Sequence, residues 1–363
     1  MTEKVFVVGV RLSEEDQHEA LESFQEMLQL AETLDMEIVG KSVVVVREPT
    51  HSHLLGKGKV DELTKEIGSS GADRILVDYQ LLPLQSRNLE ESWGRPILDR
   101  SGLIIEVFSR HATTADGKLQ VELALLKYKL PRLTSRNLAY DQQTGGGGSA
   151  YLRGSGERAI ELARRSIRTR IQKLEERINQ IKRHREVKAK RRERAQVPLV
   201  SLVGYTNAGK STLLNVLTGA DVLIQNKLFS TLDTTVRARV VMGRRILFAD
   251  TVGFIRKLPV ELVAAFRSTL EETLSSWLIL LVFDASDQDW KRHVEVAESI
   301  LSDLGADHIR KICVANKEDL IDSERRQEIT QKLPEAIFIS ASQRKDINEL
   351  ISIVSKNLTL VQV

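Results

Sequence analysis

Residues 204 to 211 read Gly204-Tyr-Thr-Asn-Ala-Gly209-Lys210-Ser211, set between the apolar run Val197 to Val203 and a helical pattern of Leu213, Leu214, Val216 and Leu217. This constrains the fold more than any other feature of the chain. Such a loop works only where a strand delivers it to the start of a helix, so that inward-turned N–H groups and the positive end of the helix dipole meet a phosphate. Gly204, Tyr205, Thr206, Asn207, Ala208, Gly209, Lys210, Ser211 and Thr212 are the expected phosphate-binding residues. Lys210 is placed to reach the β- and γ-phosphates, and the Ser211 hydroxyl to ligate Mg²⁺.

The loop by itself indicates only a nucleoside triphosphate. The base is read further along, in Asn316-Lys317-Glu318-Asp319. The Asp319 carboxylate can accept from both the ring N–H and the exocyclic amine of guanine, a donor pair that adenine lacks. Asn316 and the Lys317 stem would brace the base from the other side. A site built on such hydrogen bonds rejects the analogue without them, so GTP is preferred over ATP.

Three further elements stand in the right order. The apolar strand from Arg245 ends in Asp250-Thr251-Val252-Gly253, so Asp250 holds Mg²⁺ through water and the Gly253 N–H meets the γ-phosphate. Phe229-Ser230-Thr231-Leu232-Asp233 fits a first switch, with Thr231 as a Mg²⁺ ligand. Ser340-Ala341, after the strand Ala336 to Ile339, supplies a base-side loop through backbone groups. Lys210, Thr231 and Gly253 form the catalytic set. Phe254 follows where many signalling GTPases carry a glutamine that orients water. Phe254 cannot hydrogen-bond water, so slow hydrolysis is expected, dependent on a group that a partner supplies or orders. The alternative is that Phe254 only packs in the core and another residue of the chain positions the water.

No apolar run approaches the roughly 18 to 20 residues that span a bilayer; the longest, Trp277 to Phe283, reads as a buried strand. Met-Thr-Glu-Lys followed by Val5 to Val10 lacks the apolar core and cleavage site of a signal peptide. Cys313 is the single cysteine and lies in an apolar strand, which excludes an internal disulfide. A cytoplasmic monomer is expected. The net charge of +3 hides an asymmetry: Arg153 to Arg194 carries sixteen Lys or Arg against six Glu, or +10, leaving −7 elsewhere.

Strand signals at Val5 to Val10, Val43 to Val46 and Arg74 to Tyr79 alternate with helical ones at Glu14 to Leu34 and Val60 to Ile67, the pattern of a small α/β unit. Gly56-Lys57-Gly58-Lys59 lacks the spacing of a phosphate loop and reads as a turn opening a helix, and His51 and His53 have no third metal ligand nearby. From Asp116 the pattern turns helical, with Leu119, Leu123, Leu126 and Leu130 at four, three and four. After a stretch containing Gly145 to Gly148 and Tyr151, a long helix carries Ile167, Ile171, Leu174, Ile178 and Ile181, a coiled-coil seam. Two such helices joined by a glycine-rich connection make an antiparallel hairpin. A glycine tip with Tyr151, Arg153 and Arg158 on a basic arm suits phosphate contacts and stacking on unpaired bases, hence a structured RNA partner.

The segments Gly204 to Thr212, Leu228 to Asp233, Asp250 to Phe254, Gly117-Lys-Leu-Gln-Val-Glu-Leu-Ala124 and Arg153-Gly-Ser-Gly-Glu157 with Arg164-Arg165 resemble the HflX family of ribosome-associated GTPases. Gln85 to Glu90 and Asp99-Arg100 extend the resemblance over nearly the whole chain. It implies a GTPase that binds the large ribosomal subunit and its rRNA, with the hairpin tip pointing into the peptidyl-transferase region, and that splits or rescues stalled ribosomes. It also implies ATP hydrolysis beside GTP hydrolysis, which the base argument does not. The sequence departs from the family at Thr234, where proline usually follows the aspartate, and at Ser155, where proline is common in the tip. It ends at Val363, so the extra C-terminal domain of some relatives is expected to be absent.

The expected fold class is α/β: a P-loop GTPase domain (197–363) preceded by a small N-terminal α/β domain (1–115) and an α-helical coiled-coil hairpin with a glycine-rich tip (116–196). The expected ligands are GTP or GDP and Mg²⁺. Competing functions are a GTPase of large-subunit assembly and a signalling switch whose hairpin recruits a protein.

Overall fold

The computed structural model describes residues 2–133, 153–219, 229, 235–256 and 274–360. The chain divides into two compact units, Met1–Arg110 with Lys118–Ile178, and His111–Gly117 with Asn179–Val363.

In the first unit β1 (Lys4–Leu12), β2 (Glu37–Val46), β3 (Arg74–Asp78) and β4 (Ile97–Asp99) form a parallel sheet in the order β2-β1-β3-β4. Parallel neighbours need crossover connections, supplied by α1 (Gln17–Thr33), α2 (Lys57–Ser70) and α3 (Pro83–Trp93), with α4 (Arg100–His111) following β4. Val5 to Val10 are all buried, as a central parallel strand covered on both faces requires. The Asp16 carboxylate accepts from the Glu19 N–H at 3.2 Å and starts α1. Gly56 caps α2, in keeping with the reading of Gly56 to Lys59 as a turn opening a helix. β4 has only three residues, too few to carry a periodicity in the sequence.

Arg100, 1% exposed, is ringed by oxygens. It donates to Asp78 at 2.7 Å and to the Ser23 carbonyl at 3.1 Å, and pairs with Glu26. Such a cation is tolerated inside only because its partners are complete. Arg100→Ala leaves two buried carboxylates facing each other and is expected to cost about 3–5 kcal/mol, read as a lowered urea midpoint. An unshifted midpoint would show that these carboxylates need no counter-ion.

Next to it Asp99 accepts from the Leu81 N–H (3.1 Å), the Gly102 N–H (2.8 Å) and Arg132 (2.9 Å). Arg132 lies over the Tyr128 ring, and burial together with Asp99 raises the Tyr128 hydroxyl above its ordinary range. These contacts secure the end of α5 (Ala115–Lys129). The buried stripe of α5 comprises Gln120, Val121, Leu123 and Ala124, broader than the Leu119, Leu123, Leu126, Leu130 seam read from sequence. The reason is that α5 also packs on α4, where Tyr128 meets the space a side chain at Gly102 would fill. On α6 (Arg153–Arg194) Leu174 is buried and Ile167, Ile171, Ile178 and Ile181 are half-buried between exposed polar neighbours. Arg170 bonds Glu122 through two donors, and Lys127 pairs with Glu175 at 2.7 Å, joining α5 to α6. Gly145 to Gly148 and Tyr151 of the tip lie outside the described residues.

In the second unit β5 (Leu199–Val203), β6 (Thr235–Val241), β7 (Arg244–Asp250), β8 (Leu278–Asp284), β9 (Lys311–Asn316) and β10 (Ile337–Phe338) lie in the order β10-β9-β8-β5-β7-β6. Among the described residues the sheet is parallel except for β6. On one face α7 (Lys210–Thr218) and α10 (Ile347–Leu360) bury Leu213, Leu217, Leu350 and Val354 against Val200 and Leu280. On the other, α8 (Trp290–Asp303) and α9 (Ser323–Lys332) bury Trp290, Val294 and Ile329 against Val203 and Phe283. Val203, Asp250, Asp284 and Asn316 therefore end their strands at one carboxyl edge, the edge where open α/β sheets bind ligands.

Candidate nucleotide site

The phosphate loop leaves β5 at Gly204 and enters α7 at Lys210. Lys210 is buried, and its ammonium donates to the carbonyls of Gly204 (3.0 Å) and Tyr205 (2.7 Å). Burial pulls its pKa down to about 8, against the opposing charge of Asp250. The Ser211 hydroxyl donates to Asp250 at 2.7 Å, so the two expected metal ligands meet at the strand end. A hydroxyl and a carboxylate are hard oxygen donors of the kind Mg²⁺ takes, and this pair fits the ion.

The Asp250-Thr251-Val252-Gly253 segment is sewn to the loop. Thr251 donates through its hydroxyl to Leu202 O at 2.7 Å; Phe254 N–H donates to Gly204 O at 3.1 Å, and Thr206 N–H to Phe254 O at 2.8 Å. Gly253 runs so close that a Cβ there would lie 2.8 Å from a Thr206 carbon and 3.1 Å from the Lys210 nitrogen. The Phe254 side chain packs with Val203, Tyr205, Phe283 and Trp290, 2% exposed. That geometry supports the packing alternative: in this conformation the ring is core, and its backbone engages the loop.

On the base side, Asn316 ties two loops together. Its amide donates to Ala208 O at 2.8 Å while its oxygen accepts from the Ala341 N–H at 3.0 Å, a strut between the phosphate loop and the Ser340-Ala341 loop. Lys317 adopts φ 63° and pairs with Asp284 at 2.6 Å. Glu318 is buried, paired with Arg326 and with Lys345 (3.0 Å), and Asp319 is exposed on the short turn Glu318–Leu320. Phe229 is buried, whereas Ser230, Thr231, Leu232 and Asp233 lie outside the described residues.

Two further residues at the site belong to none of the sequence motifs. Asp284 ends β8, and the strand-end position of a charged residue after an apolar run was the available signal. His293 on α8 stacks on Tyr205 with centroids 3.9 Å apart, and burial lowers its pKa. Nothing local in the sequence marks that contact.

A phosphate loop on a central parallel strand, an Asp-x-x-Gly segment on its neighbour and an Asn-Lys-x-Asp turn two strands away define a P-loop GTPase. Family models described as GTP-binding GTPase N-terminal, GTP-binding GTPase Middle Region and 50S ribosome-binding GTPase match residues 21–109, 111–192 and 199–317. The GTPase HflX of Caldanaerobacter subterraneus subsp. tengcongensis is 41% identical over 98% of this chain and 81% of its own length. That of Escherichia coli K12 is 37% identical over 98% and 83%. The chain belongs to the HflX family of GTPases, and it hydrolyses GTP. In fold it is similar to a crystal structure of a complex of SsGBP and GDP, at a TM-score of 0.52 with 24% identity and full coverage of both chains (100% each). A GTP-binding protein from Sulfolobus solfataricus in complex with GDP gives 0.50, with 24% identity over 99% of this chain and 100% of that one. No helix among the described residues is long and apolar enough to cross a membrane.

Proposed function

We propose that the protein is a Mg²⁺-dependent GTPase that grips the large ribosomal subunit in its GTP state, splits or rescues stalled ribosomes, and lets go on hydrolysis. The observation that carries this reading is the 42-residue basic helix Arg153–Arg194, separated by four residues from the strand Leu199–Val203 that feeds the phosphate loop. A nucleotide-driven change in the loop thus acts on chain directly continuous with a cationic arm. Arg158 is exposed near the start of that arm, where guanidinium groups meet RNA phosphates. The description of the matching GTPase family model, 50S ribosome-binding, supports the large subunit as the partner.

Within the site Ser211 and Asp250, with Thr231, would hold Mg²⁺, which when bound neutralises phosphate charge. Lys210 stabilises negative charge on the transferred phosphoryl, and the Gly253 N–H is placed for the γ-phosphate. Asp319 selects guanine, and ATP is a weaker second substrate.

The test is pelleting with purified large and small subunits. Binding is expected with the large subunit and a non-hydrolysable GTP analogue, falling steeply with salt because phosphate contacts release counterions. Hydrolysis is expected to rise by about tenfold or more on that subunit. Equal pelleting in every nucleotide state would defeat the reading. Binding confined to precursor subunits would favour an assembly role, and salt-insensitive capture of a protein partner a signalling one.

A further inference from the structure

We propose that Asp284 is a positioning residue for guanine recognition, holding Lys317 in the left-handed turn that sets Asp319 in place. The inference deepens the base-site reading above and rests on it.

Lys317 is a non-glycine residue at φ 63°. That conformation is disfavoured for an L-residue, so surrounding contacts must hold it. The turn is also what the recognition geometry needs. It breaks the line of β9 after Asn316 and sends the chain into the turn Glu318–Leu320, which carries Asp319 outward.

The anchor comes from the neighbouring strand. Asp284 stands opposite Asn316 in the parallel register of β8 and β9, and Ala285 N–H donates to Asn316 O at 2.9 Å. One Asp284 oxygen takes the Lys317 ammonium at 2.6 Å. The other accepts from Ser286, from its N–H at 2.9 Å and its hydroxyl at 2.6 Å. Both oxygens are engaged, so the carboxylate cannot swing away. The far flank is held too, since buried Glu318 pairs with Lys345 and Arg326 and its N–H donates to Ile339 O at 3.0 Å. The residues before Asp319 are thus fixed while its own carboxylate faces solvent, a preorganised acceptor.

The test reads discrimination between GDP and IDP by calorimetry on the full chain, because inosine lacks only the exocyclic amine that donates to Asp319. The expected result is a clear wild-type preference for GDP that narrows roughly fivefold to tenfold in Asp284→Ala. Lys317→Met keeps the aliphatic stem and removes only the ammonium, and it should narrow the ratio equally. The double variant should go no further, since the two changes break one contact. A merely structural loss lowers GDP and IDP affinity alike. An unchanged ratio in either folded variant overturns the proposal, and Lys317→Met decides it if Asp284→Ala does not fold. A wild-type protein that binds IDP as tightly as GDP overturns the reading of Asp319 itself, and the proposal with it.

Discussion

Lys210→Ala is expected to lower kcat/KM for GTP roughly 10³-fold, about 4 kcal/mol of transition-state stabilisation. The side chain is enclosed, and its ammonium bridges the carbonyls of Gly204 and Tyr205 at the mouth of the loop. Removing it takes away the fixed cation that answers the developing phosphoryl charge. It also leaves two carbonyl oxygens turned toward a site meant for anions. Phosphate release under single-turnover conditions, with circular dichroism to confirm folding, measures the effect. A loss smaller than about tenfold would take Lys210 out of the catalytic role assigned to it.

Gly209→Ala is expected to weaken GDP binding by about 10² to 10³-fold, chiefly through its contact with Asn316. Gly209 sits at φ 87°, and a Cβ there would lie 2.2 Å from the Asn316 side-chain nitrogen. One methyl group therefore expels the strut that ties Ala208 to Ala341, so the phosphate loop and the base loop part together. Because both changes break one connection, Gly209→Ala should cost markedly less in an Asn316→Ala background. Full additivity of the two losses, measured by calorimetry, would show that the strut is not how Gly209 acts.

Much of this site was legible because its chemistry is written in short contiguous motifs. Gly204 to Ser211, Asp250 to Gly253 and Asn316 to Asp319 each span only a few residues, and neighbouring apolar runs mark the strands. Segments without such a signature escaped. β4 has three residues, and α5 buries Val121 and Ala124 rather than a simple leucine seam because α4 lies against it. Phe254 illustrates the limit most clearly. Its position in the motif left core packing as one of two readings, and its burial with Tyr205 and Trp290 depends on a helix that joins the sheet much later in the chain.

Local covalent order thus determined the reaction class, the nucleotide and the alternation of strand and helix, because backbone loops and side-chain periodicity act over a few residues. Strand order decided the rest. Placing β8 between β5 and β9 brings Asp284 to Lys317, and Asn316 to the phosphate loop, across separations of 33 and 108 residues. Such contacts depend on which strand ends share an edge and in what register, and that is settled only when the two faces of the sheet are buried.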